Sequence, residues 1–284
     1  MNLGFNDHKG KVVVLTGGGG VLCAEMARAF GRAGARVAVL DLKLAAAEAV
    51  ASAIREEGGE ALAFAANVLD RAALEAAAEA VRGRLGPCDI LVNGAGGNHP
   101  KGTTSKENLQ LEDFEHPDPD LASFFDLDEA GIRFVFDLNL LGTIMPCQVF
   151  ARQMVGRQGC SILNISSMNA FRPLTRIPAY SAAKAAVSNF TQWLAVHFAP
   201  VGIRVNAIAP GFFVTEQNRS LLFLPDGQPS ARAAKILTQT PMARFGEPKD
   251  LLGTLLWLTS EAAAGFVNGI VVPVDGGFSA YSGV

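Results

Sequence analysis

The segment VVVLTGGGG, residues 12–20, joins a continuous run of β-branched and apolar residues directly to four glycines. An apolar run without polar alternation is typical of a strand that is covered on both faces of a sheet. The glycines predict a sharp turn, and the residues over 21–33 predict a helix that begins at once. The stretch therefore predicts the first strand–turn–helix unit of an α/β fold, with an anion-binding helix N-terminus at the turn.

Strand–helix alternation continues along the chain. The predicted strands are Val12–Thr16, Arg36–Asp41, Ala61–Ala65, Ile90–Asn93, Ser161–Ser166, Arg204–Ala209 and Ile270–Val274, and the predicted helices lie near 21–33, 44–57, 71–85, 128–157, 179–199 and 247–259. Pro146 is expected to kink or interrupt the fourth helix. The pattern predicts a Rossmann-type doubly wound α/β fold, with a mostly parallel seven-stranded sheet and helices on both faces. Because the sequence has no obvious linker or internal repeat, 1–284 is interpreted as a single dinucleotide-binding domain.

Two long polar segments, at about 97–127 and 211–240, interrupt the alternation after predicted strand ends. Long loops at such positions are usually lids or binding loops. Plain surface insertions are the alternative interpretation.

Composition excludes several classes of protein. The net charge is −3, the sequence pI is about 5.8, and Lys and Arg form no run, which argues against a nucleic-acid partner. The four cysteines form no CxxC pair and are expected to be reduced, buried thiols of a cytosolic protein. The sequence shows no apolar stretch near the ~18 residues of a membrane span and no signal peptide, so we expect a cytoplasmic protein without a membrane partner.

The glycine-rich turn is the predicted cofactor site. Its candidate contacts to a dinucleotide pyrophosphate are Gly17, Gly18, Gly19, Gly20 and Val21. Asp41 ends the second predicted strand, where a carboxylate suits the ribose hydroxyls of NAD and would repel the 2′-phosphate of NADP. NAD is therefore favoured, although Lys43 lies close enough to soften the exclusion. The alternative role for Asp41 is a cap of the next helix.

Two further strand ends carry cofactor candidates. Small residues in Asn93-Gly94-Ala95 would let a cofactor lie against the backbone after the fourth strand. Asn67, with Val68 beside it, follows the third strand and is a candidate to face the adenine. Ordinary turn residues are the alternative at both places.

Ser167, Tyr180 and Lys184 form the predicted catalytic group. Tyr180 and Lys184 are four residues apart on one predicted helix and therefore share a face, and Ser167 lies thirteen residues before Tyr180. The chain has two tyrosines against eighteen phenylalanines, so a tyrosine here indicates a need for its hydroxyl. A free tyrosine has a pKa of about 10, which the Lys184 ammonium and an oxidised nicotinamide would lower. Tyr180 is then the acid or base, and Ser167 bonds the same substrate oxygen.

These residues resemble the motifs of the short-chain dehydrogenase/reductase family, over nearly the whole chain. The matching segments are TGGGG at 16–20, NGAG at 93–96, Asn139 in DLNLLGT, Ser167, Tyr180-x-x-x-Lys184, Pro210-Gly211 and VDGG at 274–277. The resemblance implies hydride transfer with a nicotinamide cofactor. The glycine loop departs from the family's pattern, because Val21 and Cys23 stand where later glycines would fall.

The resemblance also implies further roles. It places Asn139 in a water-linked proton relay with Lys184, and it gives Lys184 a second role on the nicotinamide ribose. Pro210 and Gly211 would border the cofactor, and Thr215 would bond the nicotinamide carboxamide. A homo-oligomer, most often a tetramer, is implied through the long helices after the fourth and fifth strands and the C-terminal segment.

A narrower resemblance concerns the substrate. Five segments, GGNHPKGTT, ISSMNAF, FTQWLAVHFA, PGFFVTEQNR and PVDGGFSAYSGV, resemble the D-mannonate oxidoreductase (fructuronate reductase) subgroup. This implies a sugar-acid substrate, whose carboxylate and hydroxyls need cations and polar side chains. The candidate substrate residues are Asn98, His99, Lys101, Asn169 and Arg172, with Gln217, Asn218 and Arg219 in the second loop.

Other functions remain open at this point. The alternatives are a dehydrogenase of another polyol, sugar acid or ketoacyl substrate, and a dinucleotide-sensing protein without catalysis. A sensor is expected to lack part of the catalytic trio, which is complete here. No compact ligand spacing joins His99 to His116, Asp118 or Asp120, so no metal site is expected.

Overall fold

A computed structural model describes residues 6–116, 118, 120–215, 219 and 222–283. Within these residues, seven strands form one parallel sheet in the order β3-β2-β1-β4-β5-β6-β7. The strands are β1 Val12–Thr16, β2 Arg36–Asp41, β3 Glu60–Ala65, β4 Ile90–Asn93, β5 Cys160–Ile165, β6 Ile203–Pro210 and β7 Val271–Val274. The predicted Rossmann-type doubly wound fold is confirmed, and every strand bound lies within one residue of the prediction.

The helices cover both faces of the sheet. They are α1 Val21–Arg32, α2 Leu44–Glu56, α3 Arg71–Arg84, α4 Leu111–Glu115, α5 Glu129–Phe136, α6 Gly142–Phe150, α7 Pro178–Phe198, α8 Ala231–Thr238, α9 Leu252–Thr259 and α10 Glu261–Ala264. Alternate residues of β1 serve the two layers, because Val12 and Val14 belong to one core cluster while Val13 and Leu15 belong to the other. All four are fully buried, which explains why the strand is continuously apolar.

The predicted helix over 128–157 is divided into differently wound parts. The segment Asp137–Leu141 between α5 and α6 is a π-helix, and α6 runs through Pro146. The expected interruption therefore occurs, but it precedes Pro146 rather than coinciding with it. Glu129–Gln153 is long and apolar enough by composition to cross a membrane, yet half of its most apolar window is buried inside the domain. It is interpreted as a core helix, since its π-helical part carries the fully buried Asn139.

The two insertions contain short helices that the polar composition did not predict. The first, at 97–127, contains α4, and the second, at 211–240, contains α8. Ser230 caps the start of α8, because its hydroxyl accepts a hydrogen bond from the Ala233 amide at 3.2 Å. Its buried residues Ala233 and Ile236 pack in a small cluster with Leu222, against several partly buried aromatic residues. The second insertion therefore has an apolar core of its own.

Candidate active site

The carboxyl ends of β1, β4, β5 and β6 open into a single cleft of about 450 Å³. This position follows from the parallel sheet, in which the strand order reverses between β1 and β4. Twelve of the sequence-predicted site residues line it: Gly17, Gly20, Val21, Asp41, Gly94, Ala95, Ser167, Tyr180, Lys184, Pro210, Gly211 and Thr215. Residues separated by nearly two hundred positions in the chain thus share one cavity.

Ser167 and Tyr180 are joined by a hydrogen bond between their side chains. Ser167 lies just beyond β5 and also caps the following turn, because its hydroxyl accepts the Asn169 amide at 3.3 Å. Tyr180 lies in the first turn of α7, and its ring packs against Val135 and Ala183. The end of β5 and the start of α7 therefore place the Ser167 and Tyr180 hydroxyls at the cleft.

Lys184 lies one helical turn after Tyr180. Its Nζ donates a hydrogen bond of 2.8 Å to the Ile165 carbonyl and lies 5.7 Å from the centre of the Tyr180 ring. Ser166 bonds the Lys184 carbonyl at 3.1 Å, which attaches the end of β5 to α7. The side chain is buried, so the position of its charge is set by these contacts.

The protein's own surroundings shift the two pKa values in opposite directions. Burial raises the pKa of Tyr180, and the hydrogen bond from Ser167 lowers it in part. Burial lowers the pKa of Lys184 to about 8, because a dry environment disfavours the ammonium. Lost hydration of the phenolate therefore dominates within the protein itself, and the lowering expected from Lys184 together with an oxidised nicotinamide stays a prediction.

Asn139 lies in the π-helix and faces the cleft loop from behind. Its Nδ2 donates to the carbonyls of Gly97 and Val135 at 2.7 Å each, and its Oδ1 accepts the Gly97 amide at 3.3 Å. A Cβ atom on Gly96 would lie 2.7 Å from this Oδ1 and 3.2 Å from Lys184 Nζ. Gly96 therefore lies directly beside both polar groups, and its lack of a side chain keeps that space open.

The glycine turn fits a dinucleotide pyrophosphate. Gly17 has a φ of 64°, and an added Cβ would lie 2.8 Å from the Ala95 backbone. Gly18 and Gly19 are packed equally closely, against Val39 and Ala46, so the turn brings bare backbone amides to the start of α1. These two glycines support the turn from beneath and do not line the cleft.

Asp41 connects the glycine turn to the end of β2. Its Oδ2 accepts the Gly19 amide at 3.1 Å and its Oδ1 accepts the Lys43 amide at 3.0 Å. Its carboxylate also lines the cleft, whereas the Lys43 side chain is exposed. The residues present therefore fit a dinucleotide, with Asp41 at the ribose end.

Besides Gly18 and Gly19, three predicted cofactor residues lie outside the cleft lining. The Asn93 side chain points into the core, where its Nδ2 donates to Asn164 at 2.8 Å and to Cys147 at 3.1 Å. Asn67 is exposed, and its Oδ1 accepts the Leu69 amide at 3.0 Å. Val68 is buried against Gly142. Direct cofactor contact by these side chains stays a prediction.

The substrate candidates of the first insertion are occupied by contacts within it and with the start of α5. Asn98 donates to Thr103 at 3.0 Å, and Lys101 pairs with Asp128 at 3.0 Å. His99 accepts the Lys101 amide and packs on Phe134 with the ring centres 5.1 Å apart. These side chains therefore shape the loop, and their contact with substrate stays a prediction.

The remaining substrate candidates follow Ser167 or lie in the second insertion. Asn169 is buried, and its Oδ1 makes no hydrogen bond within the described part of the chain. Arg172 is exposed. Gln217 and Asn218 lie outside the described residues, whereas Arg219 stacks on Phe223 at 5.6 Å.

Cys23 lines the cleft, although the sequence analysis did not make it a candidate site residue. Its Sγ would lie 2.2 Å from a Cβ added to Gly94, so thiol and glycine are directly in contact. Burial raises the thiol pKa to about 11, and the Lys184 charge opposes this shift. The sequence did contain one signal for this role, because Cys23 occupies a position where the family pattern has a glycine.

The chain is similar to a family of known proteins and to several of its members. A family model described as short chain dehydrogenase matches residues 11–222. An uncharacterized oxidoreductase of Bacillus subtilis is 52% identical over 97% of both chains. A crystal structure from Haemophilus influenzae, provisionally named a D-mannonate oxidoreductase and holding NAD, has a TM-score of 0.94 and 55% identity over 99% of both chains. A gluconate 5-dehydrogenase from Burkholderia cenocepacia, in complex with NADP and tartrate, has a TM-score of 0.82 and 28% identity over 98% of this chain and 99% of that one.

The matched family model covers well over half of the chain, and the site that it spans is complete. Ser167, Tyr180 and Lys184 meet at the cleft, with Asn139 adjacent to them. The chain therefore belongs to the short-chain dehydrogenase/reductase family and is an oxidoreductase.

Proposed function

We propose that this protein is an NAD-dependent oxidoreductase that interconverts D-mannonate and D-fructuronate. The observation that carries the reaction type is the joint position of the Ser167 and Tyr180 hydroxyls and the buried Lys184 ammonium at the cofactor cleft. The sugar acid is supported by 55% identity, over 99% of both chains, to the Haemophilus influenzae protein.

The proton chemistry follows from the three side chains. When the alcohol is oxidised, its hydroxyl proton passes to the Tyr180 oxygen, while a hydride leaves the carbon that carries this hydroxyl. Ser167 hydrogen-bonds the reacting oxygen, and Lys184 stabilises negative charge on Tyr180. When bound, the nicotinamide supplies the hydride acceptor for oxidation and the hydride donor for reduction.

Proton exchange with solvent would pass through Lys184 and Asn139. The open space beside Gly96, between Asn139 Oδ1 and Lys184 Nζ, is suited to a bridging water. Such a bridge would restore the proton that Tyr180 gains or loses in each turnover.

NAD is favoured over NADP by Asp41. The carboxylate stands at the end of β2 and lines the cleft, where a ribose phosphate would meet a like charge. NAD in the Haemophilus influenzae relative supports this choice, whereas the gluconate 5-dehydrogenase holds NADP. A preference rather than an absolute exclusion is expected, because Lys43 is nearby.

Gluconate oxidation at carbon 5 is the second candidate. It is supported by the fold similarity to gluconate 5-dehydrogenase over 98% of the chain. At 28% identity this support is weaker than that for mannonate. Both candidates place a sugar carboxylate in the cleft, so they share one reaction type.

A substrate panel followed by nicotinamide absorbance tests the proposal. We expect oxidation of D-mannonate with NAD and reduction of D-fructuronate with NADH, both faster than for gluconate, neutral polyols or ketoacyl compounds. Tyr180→Phe removes only the hydroxyl and should lower kcat roughly 10²–10⁴-fold. Activity on gluconate alone would transfer the assignment to the second candidate, and unchanged turnover by the Phe variant would refute the mechanism.

We also infer a single-domain, cytoplasmic homo-oligomer, most simply a tetramer. α7 exposes Trp193 and Val196, with 58% and 77% of their surfaces accessible. Trp193 stacks on His197 at 4.8 Å, which gives the helix a flat apolar face suited to a second copy. Light scattering that gives a monomer mass would contradict this inference.

A further inference from the structure

Arg176 has a backbone conformation that is unusual for its residue type. Its φ is 73°, in the left-handed region, and among the described residues only Ala243 is a second non-glycine example. Such a conformation costs about 1–2 kcal/mol, so surrounding contacts must maintain it. Arg176 lies four residues before Tyr180, immediately before the first turn of α7.

Thr104 of the first insertion supplies these contacts. The Thr104 amide donates to the Arg176 carbonyl at 2.9 Å, and Arg176 Nε donates to the Thr104 carbonyl at 2.9 Å. The pair joins the loop after β4 to the segment between Ser167 and Tyr180. Arg176 is therefore held directly before the catalytic helix, against the loop that follows β4.

The Nε bond orients the guanidinium without using its outer end. Within the described part of the chain, the terminal amino groups of Arg176 make no hydrogen bond or ion pair, and the side chain is half-buried. A fixed guanidinium with both terminal groups available can bind a carboxylate through two parallel hydrogen bonds. The geometry is thus arranged for a planar anion.

The surrounding charge is positive. Glu107 lies within the electrostatic reach of Arg176, and it is already bound by Lys235 of α8. The Lys235 hydrogen bond lowers the pKa of Glu107, and the charges of Arg232 and Arg176 lower it further. Lys235 contacts this carboxylate where the two insertions meet, and Arg232 and Arg176 act on it by charge alone, so among these four groups positive charge exceeds negative charge.

We propose that Arg176 binds the carboxylate of the sugar-acid substrate and determines the preference for acids over neutral polyols. This inference rests on the proposed function, and it concerns the end of the substrate away from the reacting carbon. Arg176 differs from the sequence candidate Arg172, which is exposed. The strained backbone has a role here, because it orients the Arg176 side chain next to the Tyr180 helix.

The test uses Arg176→Asn, because asparagine tolerates a left-handed φ and removes the cation. Binding of D-mannonate and of D-mannitol, which has CH₂OH in place of the carboxylate, is measured by NADH fluorescence with the intact protein. We expect the wild type to bind mannonate at least tenfold more tightly than mannitol, and the variant to bind both equally. Arg176→Lys keeps the charge but not the planar fork, and is expected to retain part of the preference.

Controls separate recognition from folding. Arg176→Gly relieves the backbone strain completely and must also lose the preference, without a lower melting temperature. Arg82→Asn removes an exposed arginine of α3 that, among the described residues, pairs with Glu79 alone, and it should change the binding of neither ligand. Because binding is measured without turnover, loss of the preference supports the inference even where mannonate is not oxidised, which would refute only the proposed function. A preference for mannonate that survives in Arg176→Asn, or is absent in the wild type, overturns the inference.

Discussion

The Lys184 ammonium lies 5.7 Å from the centre of the Tyr180 ring, held by its 2.8 Å hydrogen bond to the Ile165 carbonyl. A cation so placed favours the phenolate, whereas burial raises the pKa of Tyr180 and the Ser167 hydroxyl lowers it in part. The protein alone therefore keeps Tyr180 protonated at neutral pH. Proton donation in reduction requires no titration, whereas proton acceptance in oxidation requires the phenolate.

The raised Tyr180 pKa predicts opposite pH profiles for the two directions. Oxidation needs the deprotonated phenol, so its kcat/KM should rise with pH above neutrality. Reduction needs the protonated phenol, so its kcat/KM should fall only at alkaline pH. Lys184→Met is expected to move the rise in oxidation to higher pH, because the cation no longer stabilises the phenolate. Identical profiles for the two proteins, measured by stopped-flow or steady-state rates, would contradict this role for Lys184.

Asp41 should determine the choice between the two dinucleotides. Asp41→Asn keeps an acceptor for the Gly19 amide but removes the negative charge. We expect the ratio of kcat/KM for NADH to that for NADPH to fall at least tenfold, which corresponds to about 1.4 kcal/mol. Asp41→Glu retains the charge and should keep NADH preferred. An unchanged ratio in the Asn variant would show that another residue excludes the phosphate.

Gly96→Ala should damage catalysis without unfolding the protein. Its Cβ would lie 2.7 Å from Asn139 Oδ1, which two hydrogen bonds from Nδ2 to backbone carbonyls prevent from moving away. We expect kcat to fall at least tenfold, with a smaller change in the affinity for NADH. Gly83→Ala is the matched control, because nothing lies within 4 Å of its added methyl. Equal activity of the two variants would exclude the proposed proton route.

Asn164 is expected to be important for stability. It accepts a hydrogen bond from Asn93 at 2.8 Å and donates one to Thr191 at 2.9 Å, which links β4, β5 and α7 in the core. Asn164→Ala should lower the free energy of unfolding by about 2–4 kcal/mol, from lost hydrogen bonds and a cavity. Urea unfolding measures this loss, and Asn108→Ala in an exposed loop should stay within ~0.5 kcal/mol of wild type. A loss below about 1 kcal/mol for Asn164→Ala would mean that the chain of bonds is dispensable.

The strands were predictable because a continuous run of apolar residues in the local sequence indicates that a strand is buried. Val12–Thr16 is apolar at every position except its last, and the structure buries all five residues. The π-helix at Asp137–Leu141 was not predictable, because its winding depends on Asn139 reaching the Gly97 carbonyl in another element. α4 and α8 were missed for a similar reason, since short helices in polar loops depend on caps and tertiary packing.

The candidate site residues show the same distinction between features set by local sequence and features set by tertiary contacts. Tyr180 and Lys184 share a helical face whatever surrounds them, so their spacing was sufficient to pair them. Lys101 was a reasonable cation for a substrate, yet Asp128, far away in sequence, occupies it. Arg176 carried no signal in the sequence, because nothing local to an arginine predicts a left-handed backbone.

The sequence by itself determined the doubly wound fold and the reaction type, since hydrophobic periodicity, glycine turns and i,i+4 spacing act over a few residues. Only the tertiary structure decided how Tyr180 titrates and which cations remain available to a substrate. Burial and ion pairing depend on residues brought together from distant parts of the chain. The glycine turn at 17–20 is therefore recognisable in the sequence alone, whereas the environment of Arg176 becomes visible only when Thr104 and Glu107 pack around it.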